Sequence, residues 1–222
     1  MSVNRSAVDV CGKRARQSGR NVVQLALMIA LAAIPMLIPT TAVAHDAFGD
    51  LGPFYASMLH PLADPLQAAL LVGTAAFLAG RALSVVRRAM PIFLLVAGIA
   101  SIAVFSGKFN ATPSILAGFA ALLAGLAATL PENWTPRVVV YALVAATGAL
   151  VGLAPGTPDG GLTLQPLMGS IFGISVLVTV LWFTFEVAAR RLTVLLPKVV
   201  GTWVAAVGIL VIAFSASASV IL

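Results

Sequence analysis

The sequence PLQAALLVGTAAFLAGRALSV (residues 65–85) decides the fold class of this chain. It is one apolar run of about 20 residues, long enough as a helix to cross the roughly 30 Å of hydrocarbon in a bilayer. Five similar segments follow, at residues 90–107, 113–131, 137–155, 164–187 and 198–221. Unpaired backbone groups are too costly in lipid, and the segments do not alternate as barrel strands do. The sequence therefore predicts an all-α membrane protein with a bundle of six transmembrane helices.

The composition supports the same class. Of the 222 residues, 60% are hydrophobic and 9% are charged, whereas about a quarter are charged in a soluble domain. The formal charge of +6 arises largely before residue 25, so we expect the lipid bilayer, and not a nucleic acid, as the partner of the folded chain. The single cysteine, Cys11, lies in the same amino-terminal part.

The first 44 residues have the order of a cleavable signal peptide. Residues 1–24 are polar and basic, LALMIALAAIPMLIP (residues 25–39) is apolar, and the small residues Ala42 and Ala44 form a cleavage site. Cleavage there makes His45 the mature amino terminus. The alternative is an anchor helix that is retained. The predicted organisation is a signal peptide (1–44), an extracytoplasmic segment (45–64) and a six-helix transmembrane domain (65–222).

The distribution of basic residues predicts the orientation. With the mature amino terminus outside, Lys108 is alone outside, and seven bases lie inside: Arg81, Arg87, Arg88, Arg137, Arg190, Arg191 and Lys198. Positive residues remain on the cytoplasmic side during insertion. We therefore expect a multi-pass protein of the bacterial inner (cytoplasmic) membrane, with both mature termini on the periplasmic side.

Imidazole and carboxylate groups collect just before the first apolar segment. These residues, called the outer rim below, are His45, Asp46, Asp50, His60 and Asp64. Such side chains are ligands for Ni, Co, Cu or Zn, and we take His45, Asp46, His60 and Asp64 as candidate metal ligands. The alternative is that they are ordinary polar residues of an extracytoplasmic segment. Asp64 in particular precedes Pro65, as expected of a helix N-cap.

Glu186 is the one acidic residue within a predicted span. An ionisable group at such a position is a candidate for a transport path. Arg190 follows four residues later, so the alternative is a helical ion pair at the membrane interface. The sequence contains no nucleotide-binding, hydrolase or zinc-protease motif, and we expect that the protein is not an enzyme.

Glycines recur at spacings that bring helices close together. Gly148 and Gly152 are four residues apart, as are Gly169 and Gly173, and the heptad pairs are Gly118 with Gly125 and Gly201 with Gly208. Small residues at these spacings let helix backbones approach in lipid. They predict one compact bundle.

The order of these features resembles the HupE/UreJ family of hydrogenase and urease accessory proteins. The closest local matches are HPLADPLQAALLVG (residues 60–73) and VVGTWVAAVGILVIAF (residues 199–214). The resemblance implies a six-helix permease or accessory protein whose substrate is a divalent metal ion, Ni, Co or Cu, and whose partner is a metalloenzyme maturation system.

The chain departs from the family where that metal would bind. An Asp-His pair of the family corresponds to Leu66 and Gln67, and histidines of later spans correspond to Thr147, Val151 and Trp182. The glycines beside them, Gly148 and Gly152, are kept. Two functions follow from the resemblance: a metal permease or metal-handling accessory protein with a degenerate intramembrane site, or a non-transporting scaffold or assembly subunit of a larger membrane complex.

Overall fold

The structure is a computed structural model that describes residues 52–106, 114–154, 164–191, 193 and 195–218. Within these ranges the chain is helical, without a β-strand, so the predicted all-α class is confirmed there. The predicted signal peptide lies outside the described residues, as do His45, Asp46 and Asp50 of the outer rim.

The described residues form seven α-helices and one short 3-10 helix. The α-helices are α1 (Gly52–Ala63), α2 (Pro65–Ala79), α3 (Leu83–Phe105), α4 (Ser114–Thr129), α5 (Arg137–Gly152), α6 (Leu164–Arg191) and α7 (Leu196–Ala218), and the 3-10 helix is Glu132–Trp134. Helices α2 to α7 correspond to the six predicted apolar segments. Helix α1 lies in the segment that the sequence assigned to the extracytoplasmic side without a helix.

The helices differ in length more than the apolar segments indicate. Among the described residues, α3, α6 and α7 are each long and apolar enough to cross a membrane. Helices α1 and α2 meet that test only together, with a bend of 72° between them. Helices α4 and α5 have 16 residues each, which corresponds to about 24 Å. The described residues thus contain three helices that could cross a membrane, or four such spans if the bent pair is one, as in a membrane protein.

The bend between α1 and α2 is located at Asp64. Its backbone is extended, with φ −90° and ψ 108°, because the following Pro65 disfavours helical dihedral angles at the residue before it. The Asp64 carboxylate then caps α2, since its Oδ1 accepts hydrogen bonds from the backbone N–H of Leu66 (2.9 Å) and Gln67 (3.3 Å). The predicted N-cap is confirmed.

A second break separates α2 from α3 at residues 80–82, inside the apolar segment predicted at 65–85. Helix α2 ends at Ala79 with Gly80 as its C-cap, and the backbone N–H of Arg81 donates to Leu78 O at 3.0 Å. Helix α3 begins directly afterwards at Leu83, well before the predicted residue 90. The connection is short because Arg81 folds into the protein interior and does not extend into a loop.

The predicted glycine pairs lie at three helix contacts. A Cβ atom on Gly148 would be 2.8 Å from Phe93 O, and one on Gly152 would collide with Ala97 O, so α5 runs parallel to α3. A Cβ on Gly125 would be 2.5 Å from Gly201 O, and one on Gly208 would be 2.7 Å from Gly118 O, so α4 and α7 are antiparallel.

The third contact joins α1 to α6. Cβ atoms on Gly169 and Gly173 would collide with the carbonyl oxygens of Phe54 and Met58, respectively. At all three contacts the backbones approach to a distance that only glycine permits. The predicted close packing at these glycines is therefore confirmed.

The outer surface of the helices is apolar. Large exposed apolar side chains include Leu95, Ile99 and Ile102 on α3, Phe183 on α6, and Ile209, Leu210 and Phe214 on α7. The exposed hydroxyls of Thr179 and Thr184 are paired within their own helix, since each donates at 2.7 Å to the carbonyl four residues earlier. Both features suit a surface that faces lipid, where a polar group must find its partner within the protein.

Candidate functional site

Two residues of the predicted outer rim lie within the described chain, at the bend between α1 and α2. His60 is in the last turn of α1, and its carbonyl accepts a hydrogen bond from the Asp64 backbone N–H at 3.0 Å. Both side chains are partly exposed. The structure thus places His60 and Asp64 one helical turn apart. Their role as metal ligands stays a prediction, and Asp64 already uses Oδ1 for the cap.

Glu186 pairs with Arg190, as the four-residue spacing indicates. Glu186 Oε1 accepts from Arg190 Nε at 2.7 Å and lies 2.6 Å from Nη2. The arginine side chain is 70% exposed and the glutamate 21%. The predicted ion pair is confirmed. A role for Glu186 in a transport path stays a prediction.

Gln67 is the most deeply buried polar residue at the upper end of α2, the end that begins at Asp64. It is 1% exposed, and its Nε2 donates to Val151 O at 2.7 Å. Val151 is in the last turn of α5, where carbonyl groups lack the partner that a continuing helix supplies. Gln67 therefore completes the hydrogen bonding of a neighbouring helix that is 84 residues away in the sequence.

Arg81, at the other end of α2, also donates hydrogen bonds to terminal carbonyls of a neighbouring helix. Its Nη2 donates to Ala127 O at 3.0 Å and to Leu130 O at 3.4 Å, both at the carboxyl end of α4. The guanidinium carbon lies 4.5 Å from the centre of the Phe77 ring, a cation–π contact. Burial lowers the pKa of Arg81, and the nearby Glu132 carboxylate opposes that shift. An arginine nevertheless stays protonated in a protein.

These two caps satisfy backbone carbonyls at the carboxyl ends of two 16-residue helices. A helix of that length is shorter than the roughly 20 residues that cross a bilayer. In lipid, a terminal carbonyl that does not reach water needs a partner within the protein. Gln67 supplies a donor to α5, and Arg81 supplies donors to α4.

A cavity of about 210 Å³ lies beside Arg81. Val85 of α3 and Val140 of α5 contribute apolar wall, and Arg81, Glu132, Thr135 and Arg137 contribute polar groups. Glu132 is anchored there, because its Oε1 accepts from the backbone N–H of Ala82 at 2.9 Å. The cavity therefore lies where α2 ends and where α3 and α5 begin.

The bases predicted for the cytoplasmic side gather at this end of the bundle. Helices α2 and α4 end here, joined by the Arg81 hydrogen bonds, and α3 and α5 begin here. Helix α7 also begins here, because a Cβ on Gly201 would lie 2.7 Å from Ala128 Cβ. We call this the basic end. Its members are Arg81, Arg87, Arg88, Arg137, Arg190, Arg191 and Lys198.

Sequence reasoning identified Arg81 only as one of several cytoplasmic bases and Gln67 only as a replaced ligand. The signal that distinguishes them is position: each is a strongly polar residue inside or at the edge of an apolar run, so burial requires a partner. The sequence does not identify that partner.

Within the part of the chain that the structure describes, the His, Cys, Asp and Glu side chains do not form a group of three or more that could hold a metal ion. Two predicted ligands, His45 and Asp46, are not part of the described chain.

Comparison with models of known protein families, with curated proteins and with solved structures found no match.

Proposed function

We propose that this chain is a six-span protein of the bacterial inner membrane, delivered by a cleaved signal peptide, with its basic end in the cytoplasm. The alternating directions of α2 to α7 support six crossings. The internal caps on α4 and α5 support the placement of these short helices within the bilayer. Seven bases at one end support the orientation, because positive residues stay in the cytoplasm.

We further propose that the protein is a HupE/UreJ-like accessory protein in which a structural hydrogen bond has replaced the intramembrane metal site. The observation that carries this proposal is the contact between Gln67 Nε2 and Val151 O. Both residues occupy positions that hold histidine in the family that the chain resembles. Their contact across 84 residues supports the alignment, because ligands of one metal must lie close together.

The contact between Gln67 and Val151 also bears on whether the bundle transports a metal ion. Gln67 directs its donor at a backbone carbonyl, and Thr147, also at a histidine position of the family, donates to Val144 O at 3.1 Å. The donors of both side chains thus stabilise helices, and the remaining amide and hydroxyl oxygens suit Ni, Co or Cu less well than the imidazole nitrogen of histidine. The function that this arrangement favours is a non-transporting membrane scaffold or assembly subunit that docks to another membrane complex.

Co-purification tests this function. The tagged protein is extracted from its native membrane in mild detergent, and associated proteins are identified beside an unrelated six-span control. We expect a stoichiometric membrane partner and unchanged cellular Ni, Co and Cu in a deletion strain. A solitary protein that moves Ni²⁺ or Co²⁺ into liposomes would refute the scaffold function.

A second function, metal capture at the outer rim, is favoured by the geometry of the bend. His60 and Asp64 are joined there through a backbone hydrogen bond, and the predicted ligands His45 and Asp46 precede them in the chain. The protein would then hand Ni, Co or Cu to a maturation system without carrying it through the bundle. Calorimetric titration of the mature protein with Ni²⁺ tests this. Equal affinity in a His45→Ala, His60→Ala double variant would exclude the rim as the site.

A further inference from the structure

The cavity at the basic end is lined by Arg81, which has donors that the described protein groups do not satisfy. Arg81 is 6% exposed, and its Nε and Nη1 are buried without a hydrogen-bond partner among the described residues. Buried donors are rarely left unpaired in proteins. Arg81 lines the cavity, so its positive charge and its unpaired donors lie beside this space.

Two helix amino termini open onto the same cavity. The residues that precede α3 and α5 are Ala82 and Pro136, whose side chains have no oxygen with which to cap a helix. Val85 and Val140, in the first turns of these helices, form part of the cavity wall. The N–H groups at a helix amino terminus are unsatisfied and carry partial positive charge, which favours an anion.

The charge balance in the cavity is also positive. Arg81 and Arg137 contribute two positive charges, and Glu132 contributes one negative charge. The Glu132 carboxylate shows that an anionic oxygen suits this cavity, since its Oε1 already accepts a hydrogen bond from the N–H of Ala82 at the start of α3. Further donors of Arg81, Arg137 and α5 remain for a second group with several anionic oxygens.

We propose that this cavity binds a phosphate group. A phosphate offers several acceptor oxygens to a planar arginine and to helix amino termini, which suits the donors present. Its source is either the headgroup of an anionic phospholipid or a soluble phosphate. The lipid source agrees with the position of the cavity at the ends of helices α2, α3 and α5, where headgroups lie. The proposal stands whether the protein is a scaffold or binds metal at its outer rim.

Three variants distinguish phosphate binding in this cavity from non-specific electrostatic attraction of phosphate to the basic end. Arg137→Gln removes an exposed cavity charge that does not cap another helix. Arg88→Gln removes an exposed charge on α3 that does not line the cavity, and is the matched control. Glu132→Gln keeps an oxygen for the Ala82 N–H and removes the repulsion, so it should bind phosphate more tightly. A gain of binding does not arise from misfolding.

Two measurements identify the source. In the first, the purified full-length protein in detergent is titrated with phosphatidylglycerol or phosphatidylcholine, and lipid adducts are counted by native mass spectrometry. In the second, inorganic phosphate is added at constant ionic strength, with chloride as the reference, and the shift in thermal unfolding is recorded. We expect roughly tenfold weaker binding in Arg137→Gln, as for loss of one charge-assisted hydrogen bond, and little change in Arg88→Gln.

The outcomes decide both the site and its source. Selective phosphatidylglycerol binding that responds to the cavity variants supports a lipid site. A response to inorganic phosphate alone, with the same dependence on the variants, supports a soluble phosphate. Equal losses in Arg137→Gln and Arg88→Gln, weaker binding in Glu132→Gln, or no binding of either ligand would overturn the proposal.

Discussion

Replacing Gly152 with alanine should destabilise the bundle, whereas the same change at Gly98 should not. A Cβ on Gly152 would collide with Ala97 O and lie 2.8 Å from Ala100 Cβ, both on α3. A backbone carbonyl cannot rotate away, so α3 and α5 would have to separate. Gly98 lies on α3 next to Ala97, and a Cβ there would meet nothing within 4 Å.

The difference between the two variants isolates the helix contact. Each change gains about 1 kcal/mol of intrinsic helix propensity, so that contribution cancels in the comparison. Overpacking at Gly152 costs about 1–3 kcal/mol. For a chain of this size, each kcal/mol shifts Tm by about 2–4 °C. We therefore expect Gly152→Ala to unfold roughly 2–12 °C below Gly98→Ala.

Circular dichroism at 222 nm during heating in one detergent measures this difference. The two variants and the unaltered protein are prepared in the same micelles, and size-exclusion profiles establish that each is monodisperse. Equal Tm values for Gly152→Ala and Gly98→Ala would show that α3 and α5 are not in backbone contact, and the parallel arrangement of these helices would be wrong.

Further predictions concern the polar residues. Gln67→Leu should lower the free energy of unfolding by about 1–3 kcal/mol, because Val151 O loses its buried donor; thermal unfolding in detergent measures this, and an unchanged Tm would contradict the capping role. Glu186→Gln should change stability by less than about 0.5 kcal/mol, since its partner Arg190 is 70% exposed; thermal unfolding in detergent measures this, and a larger loss would show that the pair contributes more than an exposed ion pair. Asp64→Ala should cost about 1 kcal/mol through loss of the α2 cap, and Asp64→Asn should restore most of it.

Local features of the fold were predictable from the sequence. Asp64 followed by Pro65 specifies a helix start, because the cap and the restricted proline act within three residues. Glu186 and Arg190 pair because one helical turn brings them together. The glycine pairs were identifiable for a similar reason, since their spacing places both on one helix face.

Other features depend on which helices become neighbours. The spacing of Gly148 and Gly152 does not specify that they meet Phe93 and Ala97 on α3. The apolar run at residues 65–85 likewise conceals the break at Arg81, because the residues around it are apolar enough to continue a helix. At the break, Arg81 finds carbonyl partners at the end of α4.

The candidate site likewise combines features that the sequence predicts with features that depend on which helices pack together. The sequence indicated basic residues on one side, and the family resemblance predicted a replaced histidine at Gln67. It did not indicate that Gln67 caps α5, that Arg81 caps α4, or that Arg81, Glu132 and Arg137 surround one cavity.

The sequence by itself determined that this is an all-α membrane chain. It also determined where several helices begin and which helix faces carry the small residues that allow close packing. Hydrophobicity, capping and helical periodicity act over at most a few turns, so they can be deduced from neighbouring residues. Only the tertiary structure decided which helices are neighbours and whether they run parallel or antiparallel. It also decided the bend of 72° between α1 and α2 and the partners of Gln67 and Arg81. The reason is that a buried polar group takes whatever acceptor the packed helices bring within about 3 Å, and this acceptor lies 84 residues away for Gln67 and 46 for Arg81.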